Sequence, residues 1–226
     1  MNKATRASVS AFGALAGLMG IEHGTGEVLQ GNVPPPAVMI YSWPGSELFE
    51  ILSGEPAMTV VPNLLVTGIL AILFSLVFLW VTLTVPGKHS GLVLLLLSVA
   101  MLLAGGGFGP PLLGFVVAAT ASRLHAPFPW LQAHLPAGVG RLLSSLWPWL
   151  LAGSLISWLG LFPGTILLDH LVGVGNPELV VFGLLLSAFG LMLLAVVTGF
   201  ARDVQQRPES TATRAAGWQP VPSPKR

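Results

Sequence analysis

Residues 7–31, ASVSAFGALAGLMGIEHGTGEVLQG, join an apolar, glycine-rich half to a half that carries three ionisable side chains. The glycines recur every three or four residues, which places them in one stripe along a helix. Such a stripe lets a second helix backbone approach closely, as membrane helices do. Glu27 falls in the same stripe, so its carboxyl group is predicted to face a neighbouring helix. The stripe consists of Gly13, Gly17, Gly20, Gly24, Glu27 and Gly31.

The composition predicts a membrane protein. Hydrophobic residues make up 53% of the 226 residues and charged residues only 8%, whereas about a quarter of a soluble domain is charged. The chain has no cysteine, which excludes disulfides, thiolate metal sites and thiol catalysis. Its few basic residues form no dense patch, so no nucleic-acid partner is expected. The partner that this composition predicts is the lipid bilayer.

The apolar runs predict an all-α integral membrane protein, a bundle of six transmembrane helices. Residues 90–122 as one helix would be about 50 Å long, too long for about 30 Å of hydrocarbon. The run GGGFGPP at 105–111 interrupts them and is a strong turn signal. Helices 3 and 4 are therefore predicted to form a short hairpin whose apex lies below the membrane surface. The predicted helices cover residues 7–30, 59–85, 90–105, 109–122, 144–172 and 178–201, in one domain over 1–201, followed by a disordered cytoplasmic tail over 202–226.

Residues 32–58 contain no lysine or arginine and are predicted to be a loop. Ser46 is a candidate cap for a short helix lying at the membrane surface. Tyr41 and Trp43 are predicted to anchor the loop at the lipid–water interface.

Charge distribution predicts the orientation. Six crossings place both termini and the connections at 86–90 and 123–143 on one side, and all ten lysines and arginines fall there. By the positive-inside rule that side is the cytoplasm. The sequence thus predicts a multi-pass cell-membrane protein with both termini in the cytoplasm. Seven of the nine acidic residues belong to the outer half: Glu22, Glu27, Glu47, Glu50, Glu55, Asp169 and Glu178.

The first residues allow a second interpretation. Lys3 and Arg6 precede an apolar run, as in a cleaved signal peptide. The apolar pattern continues past Gly20 without a clear mature start, which favours a retained helix. The orientation of the later helices is the same in both cases.

One polar site is predicted, in the outer half of the bundle. At 1.5 Å per residue from Ala7, Glu22 and His23 reach the outer third of the hydrocarbon and Glu27 the outer interface. A carboxylate at such depth must be protonated, paired or hydrated. Asp169 and His170 end the fifth predicted helix at a similar height. The predicted substrate- or proton-binding residues are Glu22, His23, Glu27, Asn63, Asp169 and His170.

These residues support three functional hypotheses. The leading one is a transport-like protein that moves protons, ions or a small solute through the polar site. The second is an accessory subunit of a larger membrane complex or a homo-oligomer, with the polar groups satisfied by packing. The third is a metal-dependent membrane enzyme, because histidine and carboxylate groups bind zinc, manganese or iron; its predicted ligands are His23, Glu27, Asp169 and His170.

No motif in the chain identifies a catalytic residue or a cofactor. The GGGFGPP run lacks the lysine and hydroxyl residue of a phosphate-binding loop. No serine, histidine and acid arrangement indicates hydrolysis. The sequence therefore favours a protein that is not an enzyme.

Overall fold

The computed structural model describes residues 1–84, 87 and 89–206. It is mostly helical (75%), and four of its helices are long and apolar enough to cross a membrane. These helices fit the predicted membrane class. Val85, Pro86 and Lys88, and residues 207–226 of the predicted tail, lie outside the described residues. The predicted start of the tail at residue 202 is wrong, because the last helix continues to Gln205.

Eight α-helices follow one another along the described chain. The segment Gly160–Gly164, which contains Pro163 and in which Phe162 is not helical, joins α6 to α7. The helices are α1 Lys3–Gln30, α2 Leu64–Thr84, α3 Ser90–Leu103, α4 Gly109–Ala121, α5 Pro129–His134, α6 Ala137–Leu159, α7 Thr165–Val172 and α8 Pro177–Gln205. The four candidate spans are α1, α2, α6 with α7, and α8, while α3 and α4 are shorter apolar helices.

Three helices begin elsewhere than predicted. α1 begins at Lys3, before residue 7, because the Asp203 carboxylate accepts hydrogen bonds from the Ala4 and Thr5 amides. α2 begins at Leu64 because the Asn63 side chain accepts from the Val66 amide, as a helix cap does. α6 begins directly after Pro136 instead of near residue 144.

The glycine stripe of α1 packs against α2. A Cβ atom at Gly24 would lie 2.7 Å from the Gly68 carbonyl oxygen, and one at Gly17 would lie 3.2 Å from the Ser75 carbonyl oxygen. Both approaches are closer than a side chain ordinarily tolerates, so the two backbones meet as predicted. Gly31 is different: it ends the helix at φ 86° and faces open space.

The hydrophobic core lies between α1, α2, α3 and α4 and extends to α6 and α8. Its largest fully buried side chains include Phe12, Phe78, Met101 and Trp158. Many leucines and valines on the outward faces of α2, α3 and α8 are exposed. Such faces fit contact with lipid.

The loop between α1 and α2 folds over the apex of the α3–α4 hairpin. It contains strands β1 Met39–Tyr41 and β2 Pro56–Met58, which pair antiparallel, and a 3-10 helix at Glu47–Leu52. The Gly105 amide donates to the Met58 carbonyl over 2.9 Å, and the Val60 amide donates to the Leu103 carbonyl over 3.0 Å. The loop thus covers the irregular backbone of the apex. The sequence predicted the short helix here but not the strand pair.

The opposite end of the bundle gathers both ends of the described chain. Asn2 donates from its side chain to the Arg123 carbonyl, and Thr5 donates from its hydroxyl to Asp203. The Arg202 guanidinium donates to the Ser144 carbonyl. The chain ends therefore lie together with the segment after α4 and the first part of α6, away from the loop that covers the hairpin apex.

Candidate functional site

Four ionisable side chains meet where α1, the covering loop and the hairpin apex come together. Glu22, His23 and Glu27 lie on α1, and Glu55 comes from the loop just before β2. Glu27 is completely buried, and His23 and Glu55 are only 6% and 7% exposed. These four residues are referred to below as the carboxylate–histidine cluster.

Ser42 fixes the orientation of the His23 ring. The antiparallel hydrogen bonding of β1 and β2 continues one residue beyond the strands, since the Ser42 amide donates to the Glu55 carbonyl. The Ser42 hydroxyl lies 2.9 Å from His23 Nδ1 and donates to Glu27 Oε1 over 3.4 Å. If the hydroxyl proton is directed at Glu27, the imidazole proton lies on Nδ1. His23 Nε2 then carries the free lone pair and faces Glu55 Oε2 at 3.6 Å.

Trp43 positions the carboxyl group of Glu22. Its indole N–H donates to Glu22, and its ring stacks on Phe49 with 4.6 Å between the centroids. One polar atom each of Glu22, His23 and Glu55 lies within 4.8 Å of the other two. The predicted interface anchor therefore also positions a member of the cluster.

The glycines of the hairpin apex form one wall of the cluster. Gly105 and Gly107 have φ values of 82° and 73°, a conformation that glycine adopts without a steric penalty. A Cβ atom at Gly105 would overlap the Glu27 carboxyl group, and one at Gly107 would overlap the His23 ring. The apex can approach these side chains only because it carries none of its own there.

The described residues supply few partners for the acidic groups of the cluster. The Oε2 atoms of Glu27 and Glu55 are buried and have no hydrogen-bond partner. Among residues 1–84, 87 and 89–206, His23 is the one basic side chain paired with a cluster carboxyl. Burial raises the pKa of Glu55 to about 10, with smaller contributions from the adjacent Glu22. Ionising this carboxyl group thus requires a positive charge nearby.

A cavity of about 240 Å³ adjoins His23 and Glu55. Its walls are mostly apolar, and they come from α1, the loop, the start of α4 and the facing parts of α6 and α8. The buried Trp158 Nε1 on this cavity has no hydrogen-bond partner. Since one water occupies about 30 Å³, the cavity is large enough for several water molecules and ends in polar groups.

The structure brings together three of the predicted site residues, Glu22, His23 and Glu27. Asp169 instead accepts from the Val174 amide over 3.0 Å and lines a separate recess with Glu178.

His170, predicted beside Asp169, is exposed. Asn63 caps α2 and donates to the Asn32 side chain. The described chain therefore does not place Asp169, His170 and Asn63 in the carboxylate–histidine cluster, so the ligand set His23, Glu27, Asp169 and His170 is not assembled.

Sequence reasoning missed Ser42 and Glu55 as members of the site. Both lie in a loop whose strands are three residues long, too short for an alternation signal. Ser53, Gly54 and Glu55 all have positive φ values, and this turn directs Glu55 inward. The Ser-Gly pair marks a turn in the sequence, but it does not indicate which side chain the turn buries.

No protein family, curated protein or solved structure matches this chain. The function is therefore inferred from the geometry of the cluster.

Proposed function

We propose that the chain is a transport-like membrane protein that takes up a cation at the carboxylate–histidine cluster in the outer half of its bundle. The observation that carries this proposal is the burial of Glu27 and Glu55 beside one histidine and the half-buried Glu22, with one oxygen of each buried carboxyl group unpartnered. Ionised carboxylates in such surroundings are costly unless a proton or another cation compensates them. A reversible exchange of that cation is the simplest use of the arrangement.

The proposed topology has six crossings of the cell membrane and cytoplasmic termini. Lys3, Arg6, Arg123 and Arg202 belong to the end of the bundle where both ends of the described chain meet. The cluster belongs to the opposite end, which the positive-inside rule places outside. Helices α3 and α4 are each shorter than the roughly 20 residues of a typical span, so they would cross as a hairpin whose apex stays below the outer surface.

The residues between the cluster and the cytoplasmic end indicate how a cation would cross the protein. Ser75 lies below the cluster and is buried with its hydroxyl unpartnered. Phe12, Phe78 and Met101 fill the core around it, so the site is closed toward the cytoplasmic end. Transport then requires α1 and α2 to move relative to α3 and α4, which gives alternating access to the cluster.

The test is cation flux into proteoliposomes that contain the full-length protein. Trapped dyes would report proton entry in one assay and Mn²⁺ entry in the other. The unaltered protein is expected to carry at least one of the two ions faster than protein-free vesicles do. Glu27→Gln removes the most buried carboxylate and should lower that flux at least about tenfold.

The control is Glu47→Gln, which neutralises an exposed glutamate of the same loop and should leave flux unchanged. Equal rates for the unaltered protein and empty vesicles, with both ions, would contradict the proposal. So would an equal loss of flux in both variants. The accessory-subunit and membrane-enzyme alternatives stay predictions.

A further inference from the structure

We infer that Glu22, His23 and Glu55 form a site for one divalent transition-metal ion, of the kind represented by Mn²⁺, Fe²⁺ or Zn²⁺. This inference rests on the proposed function in one respect, namely that the cluster exchanges a cation with its surroundings. It goes further by naming the ligand atoms and the chemical class of the ion.

The histidine is prepared for a metal. A ligating imidazole normally donates its other N–H to a nearby oxygen, which fixes the tautomer. Here the Ser42 hydroxyl occupies that position against Nδ1, and Glu27 holds the hydroxyl in turn. In the tautomer protonated at Nδ1, the lone pair of Nε2 faces the Glu55 carboxyl group across 3.6 Å.

The distances fit one shared ion. At zinc–nitrogen and zinc–oxygen distances near 2.0–2.2 Å, two tetrahedral ligand atoms lie roughly 3.3–3.6 Å apart. The separation of 3.6 Å between His23 Nε2 and Glu55 Oε2 meets this requirement. The three donor atoms all lie within 4.8 Å of one another, so a small rotation of the Glu22 carboxyl group completes the set.

The charges fit a divalent ion. Two ionised carboxylates and one neutral imidazole balance a charge of +2 without help from a lysine or an arginine. The unpartnered Oε2 of Glu55 gains a ligand in this way. One nitrogen and two oxygen donors without sulfur select zinc, manganese or iron over copper(I).

The surroundings hold the ligands and leave the ion accessible. The Trp43 indole N–H binds the Glu22 carboxyl group from outside the cluster, as an outer hydrogen-bond donor does for a metal-bound carboxylate. The cavity of about 240 Å³ reaches His23 and Glu55 from the other side. Three protein ligands leave one coordination position of the ion open toward this cavity. The ion can therefore exchange with its surroundings through the cavity.

The test is metal binding to the full-length protein in detergent. Elemental analysis of protein purified without chelators should find about one equivalent of manganese, iron or zinc. Protein stripped with a chelator should then bind Co²⁺ with visible absorption bands that the aqueous ion lacks. His23→Gln and Glu55→Gln should each weaken Co²⁺ binding by at least roughly 10-fold, and Ser42→Ala by roughly 10- to 100-fold.

The matched control is Glu50→Gln, an exposed acid of the same loop, which should bind Co²⁺ like the unaltered protein. Equal weakening by Glu50→Gln, or Co²⁺ binding that neither His23→Gln nor Glu55→Gln weakens, would overturn the inference. If the substitutions prevent folding, X-ray absorption on the unaltered protein loaded with Zn²⁺ decides. One imidazole with oxygen ligands supports the site, and a shell of water alone overturns it.

The two proposals fail separately. Proton flux without bound metal would overturn the metal site and leave the transport proposal standing. A bound metal without flux of either ion would do the reverse.

Discussion

Gly107 shows how a single residue without a side chain shapes the cluster. Its φ of 73° strains any other residue, and a Cβ atom there would overlap the His23 ring. Gly173 has nearly the same φ, 76°, but its Cβ position faces open space. The two positions therefore separate backbone strain from the loss of room beside the histidine.

We expect Gly107→Ala to destabilise the protein more than Gly173→Ala does. The backbone strain of an alanine at a positive φ costs roughly 1–3 kcal/mol at either position, and the overlap with His23 adds about 1–3 kcal/mol at Gly107 alone. Thermal unfolding in detergent should show a clearly lower melting temperature for Gly107→Ala. Equal melting temperatures for the two variants would mean that the apex does not press against the histidine.

At the scale of elements, one carboxylate of α8 binds the first turn of α1. Asp203 is 4% exposed. It accepts from the Ala4 and Thr5 amides over 2.8 Å and from the Thr5 hydroxyl over 2.6 Å. A negative group at a helix N-terminus is favoured by unpaired amides and by the helix dipole. Asp203 thus caps a helix that lies almost the whole chain away.

We expect Asp203→Ala to cost about 1–3 kcal/mol, because it leaves buried amides without partners. Asn176→Ala is the control, since Asn176 caps α8 locally by accepting from the Leu179 amide, and its loss should cost only about 1 kcal/mol. Thermal unfolding in detergent compares the two variants. Thr5→Val should add little to Asp203→Ala, because both remove the same contact. Full additivity of those two substitutions would contradict the assignment.

The elements also show which features the sequence could predict. The glycine spacing of α1 and the GGGFGPP interruption depend on residues that are neighbours in sequence, so the packing of α1 and the break between α3 and α4 could be predicted. The cap from Asp203 and the approach of Glu55 to His23 depend on residues far apart in the chain. A pattern of neighbouring residues does not indicate contacts between distant parts of the chain. The start of α1 and the place of Glu55 in the cluster were therefore missed.

At the scale of the whole molecule, the predicted polar site included residues that lie apart from one another across the bundle. Counting 1.5 Å per residue places Glu22, His23 and Asp169 at similar heights, but height alone does not bring residues together. The helix axis of α6 is interrupted by the kink at Gly160–Gly164. Asp169 then lies in a recess with Glu50 and Glu178. The rise per residue gives the height of a residue along its helix, but it does not give its position across the bundle.

The number of crossings can be tested directly because the chain has no cysteine. Single cysteines at Glu47, Gln132 and Gly175 occupy exposed loop or helix-end positions. With six crossings, a membrane-impermeant maleimide applied to intact cells should label Glu47→Cys and Gly175→Cys, and Gln132→Cys only after permeabilisation. If α3 and α4 together crossed once, Gln132→Cys would be labelled from outside and Gly175→Cys would be protected. The hairpin is favoured because its glycine apex contacts Glu27 and His23 at the same end of the bundle as the covering loop, so the chain must return before Arg123.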